Sequence, residues 1–226
     1  MVYKRKVVVR RKPLTKKKFK TKEWYDKKYS IGDMANSAWR ATKYLASMIN
    51  SEVMKLDTTV TLGAAQYNIT ALNAIAQSDA LNGRTGNSIL LKNIAIKGSM
   101  QINGSVTANT RIMLALVMDT QQIGDTNPSV SDIFTSNTDP HSLLNSSNVG
   151  RFKVIKRWNY WLTPASGGKP IAQLEYFKEF NLTHTRYNGT SSNDIQKNGL
   201  YLVQITSEAT NYPTNSFNVR LSYHDN

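Results

Sequence analysis

SILLKNIAIKGSMQIN, residues 88–103, changes phase in mid-course. Ile89 and Leu91 share one parity, and Ile94, Ile96, Met100 and Ile102 share the other. Each half alternates apolar and polar with period two, the mark of a strand that buries one face. The slip near Asn93 predicts a β-bulge, and Gly98 predicts a bend.

The same period governs most of the chain around this strand. Residues 58–62 and 67–75 read as strands before it, and residues 110–119, TRIMLALVMD, follow as a nearly continuous apolar run expected in mid-sheet. Further strands are expected at 151–162, 171–185, 200–207 and 217–223. Long polar loops separate them at 78–87, 120–150 and 186–198, the second carrying a short helix at 129–134 introduced by Pro128. No crossover helices of βαβ type occur, so a parallel sheet is not expected. Eight antiparallel strands with long, uneven connections fit an all-β double-sheet jelly roll better than an immunoglobulin-type sandwich, whose connections are shorter.

Ahead of the strands the period is helical. Asp33 can cap a helix over 33–49, in which Met34, Ala38, Ala41, Leu45 and Met48 recur every three or four residues beside Trp39 and Ile49. Arg40 and Lys43 fall among its polar positions. Two readings stay open: a helix packed on the core, or an amphipathic helix lying against a shell or partner.

The charge lies further upstream still. Residues 1–22 carry eleven basic side chains and no acid: Lys4, Arg5, Lys6, Arg10, Arg11, Lys12, Lys16, Lys17, Lys18, Lys20 and Lys22. Of 29 basic and 15 acidic residues in the chain, 13 and 2 fall within residues 1–30, so the arm holds +11 of the net +14 and the other 196 residues only +3. Self-repulsion and few large apolar residues predict a disordered arm when free. Such an arm seeks a polyanion, and binding by counterion release is indifferent to sequence and sensitive to salt. The expected organisation is a basic nucleic-acid-binding arm at 1–30, an amphipathic helix at 31–56 and the jelly roll at 57–226. Arg40 and Lys43 extend the arm's nucleic-acid-binding set.

Catalysis has no visible carrier. The chain has no cysteine, which excludes disulfides, zinc–thiolate sites and thiol nucleophiles. His141, His184 and His224 are far apart, with no partner at metal-ligand spacing. Gly83-Arg-Thr-Gly86-Asn-Ser lacks the Gly-Lys-Ser/Thr of a phosphate loop and reads as a turn into a strand. Asp119, Asp125, Asp132 and Asp139 could supply oxygens to a calcium ion, although their irregular spacing specifies none. No enzyme, cofactor or metal site is therefore expected. No apolar run approaches the ~18 residues of a membrane span, and no signal segment is evident, so membrane insertion is not expected and the cytosol or nucleus is.

In 151–162, Trp158, Tyr160 and Trp161 stand beside Lys153, Lys156 and Arg157. That mixture suits stacking on single-stranded nucleic acid. Strict alternation instead places Phe152, Val154, Trp158 and Tyr160 on one buried face and Lys153 and Arg157 on the other, and the core reading is favoured. Lys156 and Ile155 break the pattern.

Several segments recur in order in a known group. They are Tyr44 through Glu52 with Lys55-Leu-Asp57, then Arg84 through Lys92, Arg111 through Gln121, Val130 through Phe134 and Arg151 through Ile155. With the basic arm and the Trp-containing helix, they resemble capsid proteins of small circular Rep-encoding single-stranded DNA viruses of circovirus-like type. The resemblance covers residues 1 to about 160 and continues beyond only as strand pattern. It implies a viral jelly roll assembling as a homo-oligomer, sixty copies in a T=1 shell, with arms inward on a single-stranded DNA genome. It also implies a virion protein that meets nuclear import machinery and the host nucleus during assembly. Sixty arms would carry about 660 positive charges, which matches a genome on the order of a thousand nucleotides. A monomeric or small-oligomer nucleic-acid-binding protein, and an RNA-packaging satellite-virus coat, remain the alternatives.

Overall fold

The computed structural model describes residues 31–48, 53–63, 65–122, 126–164 and 171–225. The basic arm, residues 1–30, lies outside them. The chain divides into two units, Met1–Leu45 and Ala46–Asn226. α1 (Ile31–Met48) begins two residues before the expected start and belongs to the first unit as far as Leu45. Residues 35–45 are all exposed.

Among the described residues the second unit contains nine strands: β1 (Met54–Leu62), β2 (Tyr67–Ala71), β3 (Ser88–Gln101), β4 (Thr110–Asp119), β5 (Phe152–Leu162), β6 (Ile171–Tyr187), β7 (Ile195–Lys197), β8 (Gly199–Thr206) and β9 (Thr214–Asp225). One sheet runs β1-β9-β3-β6-β7 and the other β2-β8-β4-β5, and every pairing is antiparallel. Without the three-residue β7, this is an eight-stranded jelly roll of two four-stranded sheets, with the chain crossing between sheets as it advances.

The phase slip in β3 is a bulge. Register with both β6 and β9 shifts between Leu91 and Asn93, so Ile89 and Leu91, then Ile94, Ile96 and Met100, all reach the core between the sheets. On the β6 side Leu182 takes up the irregularity with φ 49°, in the left-handed region. Gly98 marks a close approach instead of the expected bend. A Cβ there would lie 2.2 Å from the Ser216 carbonyl oxygen and 2.7 Å from Phe217 Cα. Gly98→Ala therefore forces β3 and β9 apart beneath the Phe217 ring. It is expected to cost about 1–3 kcal/mol, read as a lowered thermal midpoint; an unchanged midpoint would remove the close-approach argument.

β4 shows why its sequence is apolar throughout. Ile112, Leu114, Leu116 and Met118 face the inter-sheet core with Leu200 and Leu202 of β8. Met113, Ala115 and Val117 face the opposite side, where Val130, Ile133 and Phe134 cover them together with Tyr201, Val203 and Ile205. Full burial of each Leu, Ile or Phe side chain contributes roughly 1.5–3 kcal/mol. The β2-β8-β4-β5 sheet is thus covered on both faces. The outer face of the five-stranded sheet is mixed: Asp57, Arg220, Lys97 and Glu175 form two exposed ion pairs, and the exposed Phe177 lies in the same cross-strand row as Asp57 and Arg220.

The second core depends on the long loop between β4 and β5. Its helix α2 (Val130–Ile133) starts from a capping box: Ser129 Oγ accepts from Asp132 N at 3.2 Å, and Ser129 N donates to Asp132 Oδ2 at 2.8 Å. At the loop's base Arg151 donates two bonds to buried Asp119, at 2.9 and 2.7 Å. That fork joins the end of β4 to the start of β5.

Candidate nucleic-acid interface

The eleven basic residues expected to bind nucleic acid, Lys4 through Lys22, lie outside the described residues. Of the expected set, Arg40 and Lys43 are described. Both are exposed on α1, and Lys43 Nζ lies 5.4 Å from the Trp39 ring centroid. Trp39, Tyr44 and Leu45 are 52, 64 and 56% exposed, so this helix carries large apolar side chains in the open beside its cations.

β5 departs from strict alternation, and its mixed aromatic and basic residues separate accordingly. Its register with β4 shifts between Leu116 and Val117, whose partners are Lys156 and Val154, leaving Ile155 as the extra residue. The bulge reverses the facing of everything beyond it. Phe152 and Val154 join the outer core under the long loop, whereas Ile155, Trp158 and Tyr160 join the inter-sheet core. The expected single buried face of Phe152, Val154, Trp158 and Tyr160 is therefore two half-faces. Trp158 meets Tyr176 of β6 edge-on at 5.0 Å, tying the sheets together.

Arg157 is structural. Its Nη1 donates to the Ser142 carbonyl at 2.9 Å and its Nη2 to the Pro140 carbonyl at 2.7 Å, and burial lowers its pKa from the ordinary arginine value. It pins the long loop down and does not offer its charge to a ligand. Trp161 stays 57% exposed, with the Arg111 guanidinium 4.3 Å from its ring.

The aspartates of the long loop also have separate tasks. Asp119 holds Arg151, Asp132 caps α2 and Asp139 Oδ1 accepts from His141 N at 2.9 Å; Asp125 lies outside the described residues. Among the described residues no group of three or more His, Cys, Asp or Glu is placed to share an ion. No helix among them is long and apolar enough to cross a membrane.

The Gly83–Gly86 turn contains Arg84, the largest fully buried side chain among the described residues. Arg84 Nε donates to the Ile75 carbonyl at 2.9 Å, Nη1 to the Gly86 carbonyl at 2.6 Å and Nη2 to the Gly189 carbonyl. Its Cζ stands 4.0 Å from the Tyr187 ring centroid. Desolvation lowers the guanidinium pKa, partly offset by Tyr187, Asp194 and Asp225. The neighbouring Tyr223 hydroxyl donates to the Gly83 carbonyl at 2.7 Å, and burial pushes its pKa up to about 12. Thr85 N and Oγ1 both donate to Asp225 Oδ2, at 2.7 and 2.5 Å. The turn is a buried rivet between loops and C-terminal strand, and the Arg84 guanidinium and the Thr85 hydroxyl are engaged with protein.

A jelly roll with separate structural jobs for its buried charges, preceded by a basic arm, has the form of a shell subunit. The family model of the geminivirus coat protein/nuclear export factor BR1 family matches residues 2–226. The chain belongs to that family. Its resemblance to capsid proteins stands at the level of a single-stranded DNA virus coat protein, and the match does not single out the circovirus-like group. No curated protein sequence matches the chain. Among solved structures, it is similar to the infectious bursal disease virus VP2 subviral particle, with 10% identity over 76% of this chain and a TM-score of 0.24. The infectious bursal disease virus Gx strain structure gives 11% identity over 76% of this chain and a TM-score of 0.26. The chain spans about a third of the length of those two proteins, 33 and 32%. The fold assignment rests on this chain's own strand order.

Proposed function

We propose that this family member is a coat subunit that assembles into a closed icosahedral shell of sixty copies and packages single-stranded DNA through its basic arm. The observation that carries this reading is the segregation of charge. Residues 1–30 hold +11, whereas the jelly roll and helix together hold +3. A fold that binds polyanions through its own surface would not need its charge confined to a leader, but a wall that must pack against copies of itself does. Long Asn-, Ser- and Thr-rich loops offer polar contact surface for such packing. The division we infer is an arm at 1–30 on the genome, a helix that ends at Met48 and not at 56, and a shell body that begins with β1 at Met54, three residues before the expected 57. The protein resides in the virion and enters the host nucleus during assembly, with the arm doubling as the import signal. It has no catalytic task.

The family's name also covers a nuclear export factor, and the same arm would serve a monomer that coats nucleic acid. Particle size separates the two. Purified full-length protein, measured by light scattering and electron microscopy across salt and pH, is expected to give closed particles about sixty times the monomer mass that protect single-stranded DNA from nuclease. A monomer or small oligomer in every condition would replace the shell reading with the export-factor one, and protected RNA would change the cargo.

A further inference from the structure

At one end of the five-stranded sheet, three neighbouring strands place Ser88, Arg186 and Lys197 in one cross-strand row. Ser88 of β3 is paired with Arg186 of β6, and Arg186 with Lys197 of β7. Ile89 and Tyr187, one residue further along their strands, are buried, so Ser88 and Arg186 face outward. Directly paired antiparallel residues share a face, and Lys197 joins them in lining an open concavity with His184, Asn198 and Leu182.

Two like charges directly opposite each other destabilise a sheet. No ion pair among the described residues includes Arg186 or Lys197. The two ion pairs on this sheet's outer face, Asp57–Arg220 and Lys97–Glu175, engage other residues. Hydrogen bonds frame the two cations. Asn198, at φ 58°, turns the chain from β7 into β8, donates through Nδ2 to the His184 carbonyl at 2.7 Å, and accepts at its own carbonyl from buried Asn73 at 3.0 Å. Ser88 Oγ lies 3.4 Å from His184 Nδ1.

We propose that Arg186 and Lys197, with Ser88 and His184 alongside, form a body-borne site for the phosphates of single-stranded nucleic acid, distinct from the arm. This rests on the proposed function. A guanidinium, an ammonium and a hydroxyl on adjacent strands spaced about 4.8 Å apart offer donors to an anion without offering it a carboxylate. A single carboxylate would neutralise one of the two cations. A strand with one charge per nucleotide neutralises both. The arm supplies diffuse charge, and this pair supplies a fixed point at which the strand meets the wall.

The test is the salt dependence of binding by full-length protein. Wild type and R186Q/K197Q are titrated with a fluorescent twenty-base single-stranded DNA between 0.1 and 0.4 M NaCl. Loss of two phosphate contacts should reduce the slope of log K against log salt by about 1.4. The single variant R186Q should lose about half of that, and stands in if the double variant fails to fold. Thermal midpoints should be unchanged or raised, because a like-charge pair has been removed. An unchanged slope overturns the site. An unchanged slope together with lost particle formation assigns the pair to a contact between copies, and overturns it equally. Competition by inorganic phosphate with no change in the DNA slope would make it a site for the free ion only, and also overturns the proposal. A wild type that binds no DNA at all fails the proposed function itself, which keeps the two failures apart.

Discussion

Replacing Arg84 with lysine is expected to damage the fold nearly as much as replacing it with methionine. The guanidinium answers carbonyls on three sides, those of Ile75, Gly86 and Gly189, while its flat face lies 4.0 Å from Tyr187. Lysine keeps the charge but presents one compact ammonium on a flexible stem, which cannot meet donors' positions spread across a planar fork. At least one buried carbonyl is then left without a donor, and a buried charge is left poorly solvated. Each unsatisfied buried acceptor costs about 1–3 kcal/mol. Arg84→Met avoids the stranded charge and loses all three bonds, so the two variants converge on a loss of about 3–5 kcal/mol. Against a typical domain stability of roughly 5–15 kcal/mol, that is much of the margin. Chemical denaturation should show the loss directly, with lower soluble yield for both. If Arg84→Lys unfolded within about 0.5 kcal/mol of wild type, charge alone would be sufficient and the fork geometry irrelevant.

That residue also marks what the sequence does not display. Gly83-Arg-Thr-Gly reads correctly as a turn into a strand, but one of Arg84's partners, Gly189, is 105 positions away. Nothing local distinguishes a cation satisfied by remote carbonyls from one in solvent. Alternation, by contrast, is local. It located the eight principal strands and even the bulge of β3, because a bulge exchanges the parity of every apolar residue beyond it. The same signal was present in β5, where Ile155 and Lys156 break the alternation, but a two-residue irregularity among aromatics does not say on which side the phase changes. β9 begins three residues before its apolar alternation, at Thr214, since Thr214, Asn215 and Ser216 look like loop until paired with Gln101, Met100 and Ser99. β2 is shorter than expected for the opposite reason. Leu72 and Ile75 are buried outside the strand, held by Asn73, which donates to Thr185 and Asn198 and accepts from Leu200 N at 2.8 Å. β7 has three residues, too few for any period. The exposure of Arg40 and Lys43 on α1 was legible from helical spacing, and their role on nucleic acid is part of the proposal. The pairing of Arg186 with Lys197 was not, because strand register alone brings them together.

Neutralising the arm is expected to separate packaging from shell formation. Replacing the eleven Lys and Arg of residues 1–22 with glutamine lowers the net charge per chain from +14 to +3 while leaving the length and every described residue unchanged. In the proposed shell each charge on the wall balances about one nucleotide, so cargo should scale with what remains. The expected result is particles of unchanged size whose nucleic acid content, from the ratio of absorbance at 260 and 280 nm, falls about fivefold. Wild-type cargo should be released progressively with salt once shells are opened, and the variant's residual cargo should respond less steeply, since fewer counterions were displaced in taking it up. Body contacts between copies depend on loop and sheet surfaces that the substitutions do not touch, so loss of particles would mean that nucleic acid or the arm itself nucleates assembly. Particles carrying the full wild-type load would be the more damaging outcome, because the +3 of the remaining 196 residues would then have to hold the genome, and the segregation of charge would have no function.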